Sequence, residues 1–256
     1  MCNKKQLKST AQELEEYYHA VNRYLGYQPT FFENAYDHQA TPIVTSERKG
    51  ELIGALWGFI PSTVKTVDKA KELRVNTINA RSEDMYNTPS YQNSAKASLR
   101  CLIPCTGFYE SHHSPDSKIK TPYIIRVKNQ PIFSLAGIYS HWHHPERNSE
   151  MITYSICTTA ANKQMEFVHN SKKRQPVFIP REYEKDYLNG DLTPEDVIEL
   201  CRSHSDDNFV YHPVSKTVNA TKISSSEKNV PGIDDPVNYT IEEMEGKPKK
   251  QTGSLF

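Results

Sequence analysis

The chain has 256 residues, of which 36% are hydrophobic and 24% are charged, and its formal net charge is zero. This length predicts one large domain or two small ones with ample hydrophobic core. Zero net charge disfavours a protein that binds nucleic acid by bulk electrostatics, although a local basic patch remains open. The apolar runs are too short for a membrane span, and no secretory signal precedes them. Five widely spread cysteines argue against a disulfide framework and predict a cytoplasmic protein.

The first predicted element is a helix over about residues 11–25. Thr10 and Glu13 have the spacing of a capping box. Apolar residues follow at helical intervals, and Gly26 suits the end of the helix. Further helices are predicted at 66–74, before His169, at 181–188 and after the N-cap Thr193.

Short apolar segments between turn residues predict that most of the remaining chain forms strands. Strands are expected at 42–45, 52–60, 100–110, 123–127, 132–139, 152–158, 176–179 and 209–214. The strands at 123–127 and 132–139 are expected to pair, and 209–214 is expected to be central. Residues 79–83, 111–120 and the histidine cluster at 141–144 are interpreted as loops.

This order of elements predicts a single mixed α+β domain over residues 1–241, because no repeat or internal linker interrupts it. Its sheet is expected to be curled, barrel-like and mainly antiparallel, with peripheral helices. From about residue 242 the chain is rich in Glu, Lys, Gly and Pro. That composition predicts a disordered tail over 242–256.

The stretch from Arg100 to Glu110 reads as a buried strand that ends in a single carboxylate. Gly107 would let the backbone bend or approach another group closely. A buried acid costs free energy unless it is paired or hydrogen-bonded. Glu110 is therefore either a satisfied structural acid or a working one.

Cys2 is the most unusual position in the chain. Removal of Met1 would leave a free α-amine beside the thiol, a 1,2-aminothiol that only an N-terminal cysteine offers. The amine is partly neutral at cellular pH and condenses with aldehydes, after which the thiol can close a thiazolidine ring. The residue alone leaves open that Cys2 has no chemical role.

Cys101, Cys105, His112 and His113 have a spacing that suggests a zinc site. Both cysteines lie in an apolar strand, however, whereas tetrahedral zinc sites prefer cysteine pairs in turns. Buried core thiols are the favoured interpretation, and no metal or cofactor is predicted.

His169 stands at a predicted helix end and is followed by the basic run 172–174. It is either a solvated helix terminus or a titratable imidazole beside an anion-binding patch. Asn79 and Arg81 place an amide and a phosphate-suited guanidinium on alternate positions, although Arg81 could equally form a surface salt bridge. Trp57 is expected in the core rather than as a base-stacking platform. Lys4, Lys5 and Lys8 read as solvated charges.

Taken together, these segments resemble the SRAP (SOS response-associated peptidase) domain family. Each motif alone is weak, but the ordered set, which covers roughly residues 1–190, is specific. The matches are Cys2, Trp57-Gly58-Phe59-Ile60-Pro61, Asn79-Ala80-Arg81-Ser82-Glu83, Arg100-Cys101-Leu102-Ile103-Pro104, Gly107-Phe108-Tyr109-Glu110, Ala136-Gly137-Ile138, Thr159-Ala160-Ala161-Asn162, His169-Asn170, Arg174 and Pro176-Val177. The chain departs from the family at Asn3-Lys4, where Gly-Arg is usual, and at Gln175, where Met is usual.

The resemblance implies an enzyme that binds single-stranded DNA and captures the aldehyde of an abasic site as a thiazolidine. Cys2 would be the nucleophile, and Asn79 would hold the α-amine or sugar oxygens. Glu110 would shuttle protons, and His169 would act as general acid–base, including in a lyase β-elimination. Glu110 and the Cys2 amine are then expected within hydrogen-bond reach.

The resemblance also implies that Arg81 and Arg174 grip phosphates and that Trp57 and Pro42 belong to the DNA-binding surface. It implies DNA repair, association with the nucleoid if the protein is bacterial, removal of Met1 by a peptidase-like step, a monomer, no cofactor and no membrane attachment. Two alternatives stay open. One is a cysteine-type peptidase, and the other is a non-catalytic single-stranded DNA binder.

Overall fold

The computed structural model describes residues 2–116, 118–202 and 208–246. The strands are β1 (Lys4–Leu7), β2 (Val21–Asn22), β3 (Thr30–Asn34), β4 (Ala40–Thr45), β5 (Glu51–Trp57), β6 (Asn79–Arg81), β7 (Arg100–Cys105), β8 (Gly107–His113), β9 (Lys120–Val127), β10 (Phe133–His144), β11 (Ser149–Ala160), β12 (Arg174–Pro176), β13 (Phe178–Ile179) and β14 (Phe209–Pro213). The α-helices are α1 (Ala11–Tyr18), α2 (Val67–Arg74), α3 (Gln92–Lys96), α4 (Lys163–Val168), α5 (Glu184–Tyr187), α6 (Pro194–Leu200), α7 (Ser225–Lys228) and α8 (Ile241–Glu245).

Five strands close into a ring in the order β11-β10-β7-β4-β5, because β5 pairs back to β11. The closing pair is parallel, with Thr153 opposite Leu56, and the other four pairs are antiparallel. Closure removes the exposed edges that an open sheet would present. The predicted α+β class, with a curled, mainly antiparallel sheet and peripheral helices, is confirmed.

A second sheet runs in the order β14-β9-β8-β1-β3 and places the N-terminal segment in its interior. Strand β1 pairs with β3 on one side and β8 on the other, so that Lys5 lies opposite both Glu33 and Phe108. Terminal residues are usually poorly ordered unless the fold ties them down. Here the two ladders fix the chain directly after Cys2.

The predicted strand at 100–110 is two strands that belong to different sheets. β7 lies in the closed ring and β8 in the second sheet, with Thr106 between them. The Thr106 N–H donates to the carbonyl of Gln6 at 3.0 Å. A Cβ at Gly107 would lie 2.8 Å from Nε2 of Gln6 and 2.9 Å from Cδ1 of Ile124. The close approach that Gly107 was expected to permit is therefore present.

The first helix is shorter than predicted, because α1 ends at His19, whose φ of 50° is left-handed. Val21, which the helical pattern included, instead donates its N–H to the Gly50 carbonyl, and β2 pairs with β5. Tertiary strand pairing has overridden the local helical periodicity here. The predicted capping box of Thr10 and Glu13 is confirmed.

Four other predictions about the sheets are wrong. Residues 79–81 form β6, which runs parallel to β11, rather than a loop. The segments at 120–127 and 133–144 belong to different sheets and do not pair with each other. The histidine cluster lies within β10, and β14 is an edge strand rather than a central one. Sequence patterns identify strands, but long-range hydrogen bonds choose their partners.

The helix α8 covers the beginning of the predicted tail, and residues 247–256 lie outside the described residues. Within the described ranges, no helix is both long and apolar enough to cross a membrane.

Candidate active site

Cys2 is fully buried two residues before the start of β1, and its backbone is held by Asn79. The Asn79 side-chain N–H donates to the Cys2 carbonyl at 2.8 Å. Asn79 is itself positioned by the pairing of β6 with β11 and by Tyr91, whose hydroxyl donates to the Asn79 carbonyl at 2.9 Å. The structure thus brings together two of the four predicted catalytic residues, which are separated by 77 positions along the chain.

The Cys2 thiol lies in an environment that favours its protonated form. Its Sγ donates to the Lys4 carbonyl at 3.8 Å. Burial, and then the negative charge of Glu110, raise the pKa of the thiol well above its usual range. Glu110 is therefore close enough to act on Cys2 electrostatically. Its predicted hydrogen bond to the Cys2 amine stays a prediction.

Glu110 and His169, the other two predicted catalytic residues, form a buried pair. Nε2 of His169 lies 3.8 Å from Oε2 of Glu110. Nδ1 of His169 lies 2.7 Å from the Arg174 carbonyl. Because a carbonyl only accepts, Nδ1 carries a proton and Nε2 faces the carboxylate.

Two contacts position His169 against β8. Asn162 caps α4 by accepting from the Met165 N–H at 2.9 Å, and His169 is the residue at the C-terminal end of this helix. Asn170 then accepts from the N–H of His113 at 2.9 Å and donates to its carbonyl at 2.8 Å. This two-point contact ties the end of α4 to the strand that carries Glu110.

Glu110 and His169 open into a cleft of about 260 Å³. Asn3 also lines it, so the cleft begins one residue after Cys2. The remaining lining residues are mostly polar or basic: Lys4, Tyr109, Ser111, His113, Lys120, Ser171, Lys172 and Asn219. A larger cavity of about 740 Å³ lies between α1 and α5 but contains none of the predicted catalytic residues. The smaller cleft is therefore the candidate site on chemical grounds.

The two predicted phosphate-binding arginines both face carboxylates. Arg174 donates to both Glu83 carboxylate oxygens, from its Nη2 at 2.9 Å and also from Nη1, and to the Thr158 carbonyl at 2.6 Å. Arg81 is exposed, with Nη1 3.8 Å from Oδ2 of Asp84. A phosphate at Arg174 would therefore have to replace Glu83.

Trp57 and Pro42, which were predicted on the DNA-binding surface, are both buried. Trp57 is only 1% exposed, donates from Nε1 to the Ile78 carbonyl at 2.9 Å, and stacks on Tyr154. Neither side chain presents a face on which a base could stack. Their positions support a role in packing under the site rather than contact with DNA.

Lys5 is fully buried, so its interpretation as a solvated charge is wrong. Its ammonium lies 2.6 Å from Glu33 and 3.1 Å from the Thr41 hydroxyl. The interior position of β1 sends this side chain inward, and the paired carboxylate offsets the cost of desolvation. Lys4 and Asn219, which line the cleft together, were also missed. No local pattern could reveal them because 215 positions separate them in the chain.

Cys101 and Cys105 both lie buried in β7. The Cys105 thiol donates to the Gly107 carbonyl at 3.1 Å, and burial raises its pKa to about 12. The described residues contain no group of three or more His, Cys, Asp or Glu side chains placed to hold a metal ion.

A comparison with protein families matches residues 1–221 to the family described as SOS response associated peptidase (SRAP). The chain belongs to the SRAP family. The abasic site processing protein YoqW of Bacillus subtilis is 33% identical to this SRAP chain over 203 residues, which are 78% of this chain and 85% of YoqW. The abasic site processing protein HMCES of Gallus gallus is 27% identical, over 80% of this chain and 68% of HMCES. A crystal structure of a protein from Bacteroides thetaiotaomicron superimposes with a TM-score of 0.84 at 27% identity, covering 93% of this chain and 100% of that one.

Proposed function

We propose that this SRAP protein processes abasic sites in single-stranded DNA by capturing their aldehyde on Cys2. The observation that carries the proposal is the position of Cys2, held by Asn79 beside the basic cleft that Glu110 and His169 line. An aminothiol, an acid, an imidazole and nearby cations are the groups that an aldehyde trap needs.

The reaction begins with hydrolysis of the Met1–Cys2 peptide bond, which frees the Cys2 α-amine. The amine adds to the C1′ aldehyde and loses water to give an imine. The thiol then adds to the imine carbon, which closes the thiazolidine ring, while its proton passes to the imine nitrogen by way of Glu110. Because the thiol pKa is raised, this proton transfer needs a nearby base such as Glu110.

The same imine allows strand cleavage. Removal of a proton from C2′ expels the 3′ phosphate by β-elimination, and His169, whose Nε2 faces Glu110, is suited to move that proton. The lyase reaction and the stable cross-link therefore compete for one intermediate.

The surroundings of the cleft suit a DNA backbone. Lys4, Lys120 and Lys172 gather on it although the whole chain has no net charge. Arg81 and Arg174 add two guanidinium groups that favour phosphate oxygens. The cysteine-type peptidase alternative is weaker, since the cations on this cleft suit a phosphate backbone better than a neutral peptide.

The test is incubation of protein whose intact mass shows a Cys2 N-terminus with an abasic single-stranded oligonucleotide. The expected product withstands heat on a denaturing gel and has the summed mass less one water. Cys2→Ala keeps an α-amine but cannot close the ring, so its adduct should survive only after reduction. Wild-type protein that leaves the DNA unshifted refutes the proposal, and salt-sensitive binding without any adduct would instead identify a non-catalytic binder.

A further inference from the structure

We propose that Lys4 is a second amine nucleophile in this cleft, able to form a Schiff base with the aldehyde and cleave the DNA strand without Cys2. This inference rests on the proposed abasic-site substrate and adds a second covalent route at the same site. It concerns a residue of this chain that stands where the family usually has arginine, which cannot form an imine.

The position of the Lys4 amine is set by three strands and a hydrogen-bond chain. Lys4 pairs with Asn34 in the interior strand β1. Its Nζ donates to the Asn219 side-chain carbonyl at 2.8 Å, and Asn219 donates in turn to the Ser111 hydroxyl at 2.9 Å. Ser111 directly follows Glu110 on β8, and both line the cleft with Lys4. The amine therefore shares this cleft with the acid that would serve the reaction.

The electrostatic surroundings make the neutral amine easier to form at Lys4 than at a fully solvated lysine. Burial first, and then the positive charges of Lys228 and Lys120, lower the pKa of the Lys4 ammonium, against the opposing charges of Glu110 and Cys2. The amide of Asn219 accepts its hydrogen bond without supplying a formal negative charge. A lysine desolvated near other cations is the type that forms Schiff bases.

The neighbouring Lys5 provides an internal contrast. Its ammonium is fully buried and lies 2.6 Å from the Glu33 carboxylate. Its nitrogen is engaged by that carboxylate, and Lys5 is not among the residues that line the cleft. Two adjacent lysines thus differ in both access and hydrogen-bond partner, which makes the site of modification a sharp test.

The proposed step is balanced with water as the only co-reactant. Neutral Nζ adds to C1′ of the ring-opened sugar, water leaves to give an imine, and uptake of one proton converts the imine to an iminium ion. A base in the cleft removes a C2′ proton, the C3′–O bond breaks, and the downstream fragment departs with a 5′ phosphate. Water then hydrolyses the unsaturated iminium, which returns the amine and the proton taken up earlier and releases an unsaturated aldehyde on the upstream fragment. None of these steps uses the α-amine, so the route also operates with Met1 in place.

In the experiment, the protein is incubated with abasic single-stranded DNA in the presence of borohydride, which reduces the imine to a stable amine. The adduct is then cleaved by a protease after Glu13. Tandem mass spectrometry of peptide 1–13 locates the residue that carries the sugar remnant. The wild-type chain should carry a reductant-dependent label on Lys4. Lys4→Arg should lose about nine-tenths or more of that label, because a guanidinium stays protonated and forms no imine. Lys120→Arg, a matched change in the same cleft, should reduce the Lys4 label less than Lys4→Arg does.

Asn219→Ala provides a second variant that keeps the amine but removes its hydrogen-bond partner, and it should also lower the label on Lys4. Label confined to the N-terminal amine overturns the inference. A heat-stable Cys2 adduct without label on Lys4 would refute only this route. Label on Lys4 without a Cys2 adduct would refute only the thiazolidine proposal.

Discussion

Replacing Glu83 by Gln is expected to strengthen the binding of undamaged single-stranded DNA. Glu83 accepts two hydrogen bonds from Arg174, a residue proposed to hold a DNA phosphate. The carboxylate thus occupies the place that a phosphate would take, and DNA has to displace it. Gln keeps the shape of the side chain but removes the charge that competes with the phosphate.

The magnitude follows from the exposure of the pair. The side chains are 11% exposed for Arg174 and 41% for Glu83, so solvent screens much of their attraction. Such a pair is worth about 0.5–1 kcal/mol. Removing a negative charge at roughly 8 Å from a bound phosphate adds about 0.5 kcal/mol in water. Together these effects predict about five- to tenfold tighter binding.

The salt dependence gives an independent signature. In the wild-type chain a phosphate at Arg174 would free the Glu83 carboxylate, whose negative charge offsets the neutralised phosphate, so this contact would release no net counterion. In the Glu83→Gln chain no carboxylate is freed, so the same contact would neutralise one DNA phosphate without an offsetting negative charge on the protein. The slope of log affinity against log salt should then steepen by about 0.7, the value per phosphate of a single strand.

The assay is fluorescence anisotropy of a labelled undamaged oligonucleotide, measured between about 50 and 200 mM salt. Glu199→Gln is the matched control, because Glu199 lies on the peripheral helix α6, pairs with Arg202 beyond the end of that helix, and its substitution changes the net charge equally. Equal or weaker binding by Glu83→Gln than by this control, or an unchanged salt slope, would refute the reasoning.

Other predictions concern the residues beneath the site. Glu33→Gln should lower the free energy of unfolding by about 3–5 kcal/mol, because it leaves Lys5 buried without its partner. Urea denaturation measures this, and an equal loss in the Lys5→Met/Glu33→Leu double variant would count against the ion-pair explanation. Asn79→Ala should slow cross-linking about tenfold or more, because the buried Cys2 carbonyl loses its donor; an unchanged rate on denaturing gels would contradict it. The raised Cys2 pKa predicts that the unfolding free energy falls as pH rises above about 8.5, where the thiol ionises in the unfolded chain. This fall should be steeper than in Cys2→Ala, and parallel pH profiles would argue against the shift.

The candidate site was partly accessible from the sequence. Short motifs singled out Cys2, Asn79, Glu110 and His169, and the structure brings them together as one contact between Cys2 and Asn79 and one between Glu110 and His169. The separation of these four residues along the chain did not show how far apart they lie in the folded protein. The sequence predicted that Arg174 binds phosphate, but only the fold shows that its guanidinium is paired with the carboxylate of Glu83.

The features that the sequence determined by itself depend on contacts within a few residues. The capping box at Thr10 and the N-cap at Thr193 were predicted correctly because a cap joins positions only a few residues apart. Apolar runs likewise marked where most strands lie, since burial of a strand leaves a local composition.

The tertiary structure decided which strands pair, which lysine is buried and which one reaches the cleft. β7 and β8 continue one apolar run yet enter different sheets, because hydrogen-bond partners far away in the chain select each ladder. Lys4 and Lys5 are alike by composition, but β1 has neighbours on both sides. Successive side chains of a strand point to opposite faces, so one lysine meets Glu33 in the interior and the other meets Asn219 at the cleft. The chemical difference between them arises from the fold.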